Sequence, residues 1–175
     1  MIYTSHASTA SVQLPCNPLF LAIMCSRSDL QYVQSCDMIG AGVKNAVICL
    51  FTGNSRLFMV RHTRSQRYGL PGGKINSGET PWQAAVREFR EETGFQLPSD
   101  ARASRSGSYV WRKHTAIFLL HTSKKLSIGP VVNGDGEVSE TCIPRTRTVR
   151  AMLDSGSVRR FEVSSIRAVF DAYKL

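Results

Sequence analysis

The stretch from Gly69 to Gly94 leaves the chain little conformational choice. Gly69-Leu70-Pro71-Gly72-Gly73 reads as a glycine-rich turn, where backbone must come closer to something than a side chain would allow. A little further on, Thr80 or Ser77 can cap a helix that begins at Pro81, a residue favoured in the first helical turn. Gly94 supplies the expected terminator, so the spacing predicts a helix from Pro81 to Thr93. With Glu88 taken as the origin and about 100° per residue, Glu91 falls near about 300° and Glu92 near about 40°. Ala85, Phe89, Trp82, Thr93 and Val86 occupy roughly 60° to 160°. One face is built to pack, and another crowds three carboxylates together.

Like charges one turn apart repel, so such a face costs stability unless something compensates. Arg87, near about 260°, neighbours Glu91 and offsets part of the repulsion. Divalent cations would offset more, because carboxylate clusters are natural ligands for Mg²⁺ or Mn²⁺. A solvated acidic face is the ordinary reading of a glutamate-rich helix. The surrounding spacing argues against it here. Gly73 is followed by five residues, Glu79, seven more residues and then Arg87-Glu88-Phe89-Arg90-Glu91-Glu92-Thr93-Gly94-Phe95. This pattern, led in by Leu70-Pro71-Gly72-Gly73-Lys74, resembles the complete signature of the Nudix hydrolases at every defined position.

The resemblance implies an α/β fold, an α/β/α sandwich with a mixed central sheet, over residues 42–175, with residues 1–41 as an N-terminal extension. It implies a Mg²⁺-dependent hydrolase (Mn²⁺ as substitute) that cleaves the diphosphate linkage of a nucleoside diphosphate derivative. Glu88, Glu91 and Glu92, with the Gly73 carbonyl, correspond to the family's metal ligands. Arg87 and Glu79 correspond to residues that orient helix and loop. Glu88 is the first choice of general base, and Glu137 and Glu140 are second choices. Arg61, Arg64, Arg67 and Lys74 flank the glycine-rich turn and are candidates for gripping phosphate, a task that suits arginine. Tyr109-Val110-Trp111-Arg112-Lys113-His114 mixes aromatics with cations, so Tyr109 and Trp111 are candidates for base stacking. Both could instead pack in the core. His62 and His114 lack metal-ligand spacing.

Elsewhere the pattern is one of strands. Ala46 to Phe51 and Leu57 to Val60 read as a hairpin around Thr52-Gly53-Asn54-Ser55. Tyr109 to Thr122 holds another strand, centred on Ala116 to Leu120, residues 127–140 read as a loop, and Val158 to Leu175 as an amphipathic helix. Phe161, Ile166, Val169, Phe170 and Tyr173 lie near helical spacing in that last segment. Residues 1–13 read as a loosely ordered or packed-on extension, Pro15 to Cys25 as ending in an extra strand, and Gly40-Ala41-Gly42 as a linker. Strands, helix, strands and a last helix predict a mixed sheet covered on both faces.

The net charge is +9, yet residues 73–95 hold three Lys or Arg against four Glu, so the positive charge belongs to the surroundings. A basic surface attracts nucleotides, nucleic acid or anionic membrane. Five cysteines without a C-x-x-C pair argue for reduced thiols and against a zinc site or disulfide framework. The longest apolar run, Leu19 to Cys25, falls far short of the ~18 residues that span a membrane. Without basic residues ahead of it, neither a secretory nor a mitochondrial leader is expected, and the default is cytoplasm or nucleus.

The signature identifies the bond, not the substrate. A free nucleoside triphosphate and the 5′ cap of an mRNA (decapping) lead, the second because so much positive charge suits a long polyanion. ADP-ribose and dinucleoside polyphosphates are alternatives. The first is disfavoured because the window after the signature that marks such members holds Trp111, Arg112 and Lys113 and no proline. A non-catalytic module that binds nucleotide or RNA is a further alternative, and it conflicts with the intact set of glutamates. A homodimer is compatible with the resemblance.

Overall fold

In the Ala46–Phe51 run, Ala46, Ile48 and Leu50 belong to one buried cluster and Cys49 and Phe51 to another. Both faces of this strand are therefore covered, which is why it reads as one continuous apolar run. The structure is a computed structural model. It describes residues 30–32, 42–53, 55–103, 107–111, 114–126, 128–131 and 135–172, and only the backbone of 30–32, 102–103 and 107–111.

The described strands are β1 (Leu30–Tyr32), β2 (Asn45–Thr52), β3 (Arg56–Leu57), β4 (Met59–His62), β5 (Tyr68–Gly69), β6 (Gly72–Lys74), β7 (Gly107–Trp111), β8 (Thr115–Thr122), β9 (Gly129–Pro130) and β10 (Val138–Cys142). The helices are α1 (Pro81–Thr93), α2 (Ser99–Ala103), α3 (Thr146–Asp154) and α4 (Arg160–Ala172). One sheet runs β1-β7-β8-β2-β3, with β6 also paired to β2, and a second runs β5-β4-β10-β9. The β2–β8 pairing is parallel and the other pairings are antiparallel, so the first sheet is mixed.

Phe89, Ala84 and Ala85 of α1 pack with Ile48, Leu50, Phe58 and Phe118 on one side of the sheets. Val149 and Leu153 of α3 and Ile166, Val169 and Phe170 of α4 pack with Phe51, Leu57, Met59 and Leu119 on the other. The result is the expected α/β/α sandwich. Among the described residues no helix is long and apolar enough to cross a membrane.

Several sequence expectations need correction. The Leu57–Val60 run does not stay in one hairpin: Leu57 pairs with Phe51, and from Met59 the chain joins the second sheet. The strand centred on Ala116 to Leu120 is β8, and a further strand, β7, folds back on it in antiparallel register. The expected loop at 127–140 contains β9 and the start of β10, because Val138 and Thr141 are buried against the core while Glu140 pairs with Arg61 of β4. Phe161 is not core. It stands about 140° around α4 from Ile166, off the apolar stripe, and is 66% exposed. Helices α2 and α3 are additions to the sequence reading. The extra strand expected at Pro15–Cys25 lies outside the described residues, whereas residues 30–32 pair with β7.

Gly72 has φ +147°, and a Cβ there would stand 2.3 Å from the Ala46 carbonyl oxygen and 2.6 Å from Val47 Cα. Gly72→Ala should therefore cost at least about 2 kcal/mol in urea unfolding. Gly156→Ala, at φ +75° with open space around it, should cost only about 1 kcal/mol. Equal costs at the two positions would mean that the strand is not wedged where the structure has it.

Candidate active site

Helix α1 is fixed at both ends by its own sequence. Thr80, not Ser77, is the N-cap: its hydroxyl accepts from Gln83 N, and the Gln83 side chain accepts from Thr80 N. At the other end Gly94 adopts the left-handed conformation and its N–H donates to the Arg90 carbonyl at 2.8 Å. Between these ends the helix lies against β6, and there is no room for a side chain at Gly73. A Cβ at Gly73 would fall 2.5 Å from Cδ of Glu88.

Arg87 organises the acidic face. Its Nε and Nη2 donate to the two oxygens of Glu79 at 2.7 and 3.0 Å, and Nη2 also donates to the Lys74 carbonyl at 2.9 Å. Its Nη1 donates to Glu88 Oε1 at 2.8 Å and Glu91 Oε2 at 2.7 Å. Two carboxylates of the cluster thus converge on one cationic nitrogen. These bonds raise the Arg87 pKa above its ordinary value, and the one to Arg87 holds the Glu79 carboxyl below the usual range.

Glu92 differs from its neighbours. It is 2% exposed, and its Oε2 accepts from Gly72 N at 2.9 Å. Burial pushes its pKa up to about 8, and burial also raises Glu88. The Glu91 side chain is 46% exposed. Among the described residues, no three His, Cys, Asp or Glu side chains are gathered closely enough to hold a metal ion. Even so, Oε2 of Glu88, Oε1 of Glu91 and Oε1 of Glu92 each lack a hydrogen-bond donor among the described residues.

A chain of polar contacts leads away from Glu92. His62 Nδ1 is 4.0 Å from Glu92 Oε1, and Arg159 Nη1 is 2.6 Å from His62 Nε2. Arg159 Nε lies 3.3 Å from Glu162 Oε1, and Glu162 Oε2 accepts from Leu70 N at 2.6 Å. A Cβ at Gly69 would meet that carboxylate at 2.7 Å. The glycine-rich turn is therefore gripped by two buried glutamates, one from α1 and one from α4. Burial, and next the Arg159 charge, lower His62 to a pKa of about 4, so at neutral pH it is an uncharged link.

Beside this chain opens a cleft of about 650 Å³ lined by His62, Arg64, Arg67, Glu137, Arg160 and Phe161 among others. It adjoins α1, since Asp135 N donates to the Glu91 carbonyl at 2.8 Å and Thr63 N to the Glu137 carbonyl at 2.8 Å. Arg64, Arg67 and Glu137 of the sequence candidates are brought together here. Arg61 is not: it pairs with Glu140 at 3.7 Å and lies over the Tyr68 ring. Glu140 also accepts from the Tyr68 hydroxyl, so that carboxylate is committed elsewhere. Lys74 is exposed, and its carbonyl accepts from Arg87. The side chains of Tyr109 and Trp111, with Arg112 and Lys113, lie outside the described residues. Of the thiols, Cys49 is buried and Cys142 half-buried, both free.

A family model described as NUDIX domain matches residues 43–159, about two thirds of the chain. The chain belongs to the Nudix family. An Escherichia coli 8-oxo-dGTP diphosphatase is 44% identical over 45 residues, 23% of this chain and 35% of that protein. A Francisella tularensis RNA pyrophosphohydrolase is 29% identical over 85 residues, 49% of this chain and 54% of that protein. The matches span about half or less of each of these relatives. In fold, a Bacillus subtilis pyrophosphohydrolase superimposes with a TM-score of 0.56 at 17% identity, covering 83% of this chain and 89% of that one.

Sequence reasoning missed Arg159, Arg160, Phe161 and Glu162, which stand far along the chain from the signature. The only hint was a polar Arg-Arg-Phe-Glu run at the start of an otherwise amphipathic segment.

Glu162 gives a pH test of this architecture. Burial raises its folded-state pKa from 4.5 to about 7, so the folded protein prefers the protonated form. The stability this confers is complete below pH 4.5 and is lost as pH rises through 7. Glu162→Gln cannot ionise. Its unfolding free energy should gain on wild type between pH 5 and 8, by on the order of 3 kcal/mol. A gap independent of pH would contradict the buried carboxyl.

Proposed function

We propose that the protein is a Mg²⁺-dependent pyrophosphohydrolase acting on a nucleoside 5′-polyphosphate, free or at the 5′ end of an RNA. One observation carries the reading: Glu88 and Glu91 converge on a single cationic nitrogen, beside buried Glu92 and next to a basic cleft. Nudix hydrolases generally use divalent metal ions. The donor set fits one, since hard carboxylate oxygens in excess suit Mg²⁺, and three of them have no donor among the described residues. Glu88, Glu91 and Glu92, with the Gly73 carbonyl, would hold the ion. Bound there, Mg²⁺ would neutralise phosphate oxygens and activate the attacking water.

The chain's own residues do the rest. Glu79 and Arg87 orient the acidic face. Glu88 is the proposed base, because it stands at the centre of the acidic cluster. Glu137 lies on the cleft wall and is the alternative. Glu140 is the weaker candidate, tied to Tyr68 and Arg61. Arg64 and Arg67 face phosphate, and the net charge of +9 favours an RNA end as one source of substrate. The relatives' names point to both kinds of substrate, an oxidised nucleotide and an RNA.

The experiment compares wild type and Glu91→Gln on nucleoside triphosphates including 8-oxo-dGTP, 5′-triphosphorylated RNA and cap-labelled RNA. With Mg²⁺, at least one substrate should be cut by wild type. The variant should be slower by about 10²-fold or more, and chelation should abolish turnover until Mn²⁺ or Mg²⁺ is restored. Turnover that survives both the chelator and the substitution would refute the reading.

A further inference from the structure

The geometry points to a nucleobase platform at Phe161, with Arg64, Arg67 and Arg160 as the phosphate grip leading from it toward the carboxylates of α1. Phe161 belongs to the first turn of α4, lines the cleft, and is 66% exposed. An exposed ring on a cleft wall offers a flat π-face that a base can stack on. The Arg159 guanidinium lies 4.1 Å from the ring centroid and is itself anchored by His62 and Glu162. The ring is therefore pinned from one side by a fixed cation and still largely open, an arrangement suited to stacking a flat π-system.

The charge beside it matches the rest of such a ligand. Arg64, Arg67 and Arg160 are exposed, and their guanidinium groups make no ion pair among the described residues. Other arginines of the fold are engaged: Arg61 with Glu140, Arg87 with three glutamates and Arg167 with Asp154. Against the three unengaged cations the cleft sets one carboxylate, Glu137. The volume of about 650 Å³ falls inside the roughly 300–1,000 Å³ typical of small-ligand sites. An aromatic platform followed by three cations and then a carboxylate cluster describes a 5′-polyphosphorylated nucleoside: base first, phosphates next, reacting end at α1. Only the last clause rests on the hydrolase reading; the platform and grip do not.

The test is equilibrium binding in chelator, where no turnover occurs, using GTP, inorganic tripolyphosphate and a 5′-triphosphorylated dinucleotide beginning with G. Phe161→Ala should weaken GTP by about 5- to 100-fold and leave tripolyphosphate unchanged, while Phe161→Trp retains GTP. Arg160→Ala should weaken both ligands. Both positions are exposed, and an unchanged Tm confirms folding. The dinucleotide binding tighter than GTP, with the same dependence on Phe161, marks an RNA end as the source; equal affinity marks a free nucleotide. If Phe161→Ala binds GTP as wild type does, or loses tripolyphosphate equally, the platform is overturned. Should the binding pattern hold while no Mg²⁺-dependent hydrolysis is found, the hydrolase reading alone fails. Hydrolysis together with an indifferent Phe161 sinks only the platform.

Discussion

Everything at the site depends on how closely β6 is pressed between β2 and helix α1. At Gly72 a Cβ would overlap the Ala46 carbonyl, and at Gly73 it would overlap the Glu88 carboxyl. With no side chain at either position, α1 lies close enough for the Glu92 carboxylate to accept from Gly72 N, and the bare Gly69 leaves room for Glu162, which accepts from Leu70 N. The glycines therefore do more than permit a turn. They let α1 and α4 clamp one segment of backbone from two sides, which fixes where the exposed faces of both helices stand. Hydrogen bonds to charged groups are stronger than neutral ones, but each of these glutamates also bears the penalty of burial.

That penalty shapes the electrostatics. Acidic side chains crowd one side of α1, and Arg87 alone joins Glu79, Glu88 and Glu91. Glu92 forms no ion pair with an arginine among the described residues, and burial raises its proton affinity. A face so arranged is a stability liability in the metal-free protein and a ready receptor for a hard cation, a trade often found where function and stability compete. On the other side, the uncharged His62 adds no positive charge of its own beside Glu92, and the Arg159 charge behind it offsets part of the rise in the Glu92 proton affinity.

Much of this was legible in the sequence because it is local. Thr80, Pro81 and Gly94 specify the ends of α1, and helical spacing places Glu88, Glu91 and Glu92 together. The continuous apolar runs of β2 and β8 signal a sheet covered on both faces. What was not legible is what requires distant segments to meet. Glu92 lies toward the packing side of its arc, and only the fold shows that it is buried against Gly72. Residues 127–140 look like a loop by their glycine and proline, yet pairing with β4 draws Glu140 into a strand and commits its side chain to Tyr68. Arg61, Arg64 and Arg67 look equivalent in sequence, and strand geometry sends Arg61 to Glu140 and the other two to the cleft. Phe161 resembles a core residue until its angular position on α4 is counted.

The central claim is that the carboxylates of α1 form a divalent-cation site. Its most direct test is calorimetric titration of metal-free protein with Mg²⁺ at pH 7 in two buffers of different ionisation heat. With Glu92 raised to about 8, that carboxyl holds its proton before the ion arrives. Saturable binding should then release on the order of one proton, seen as a buffer-dependent heat, and Glu88→Gln combined with Glu91→Gln should abolish it. No saturable heat, or an identical isotherm from the double variant, would contradict the account.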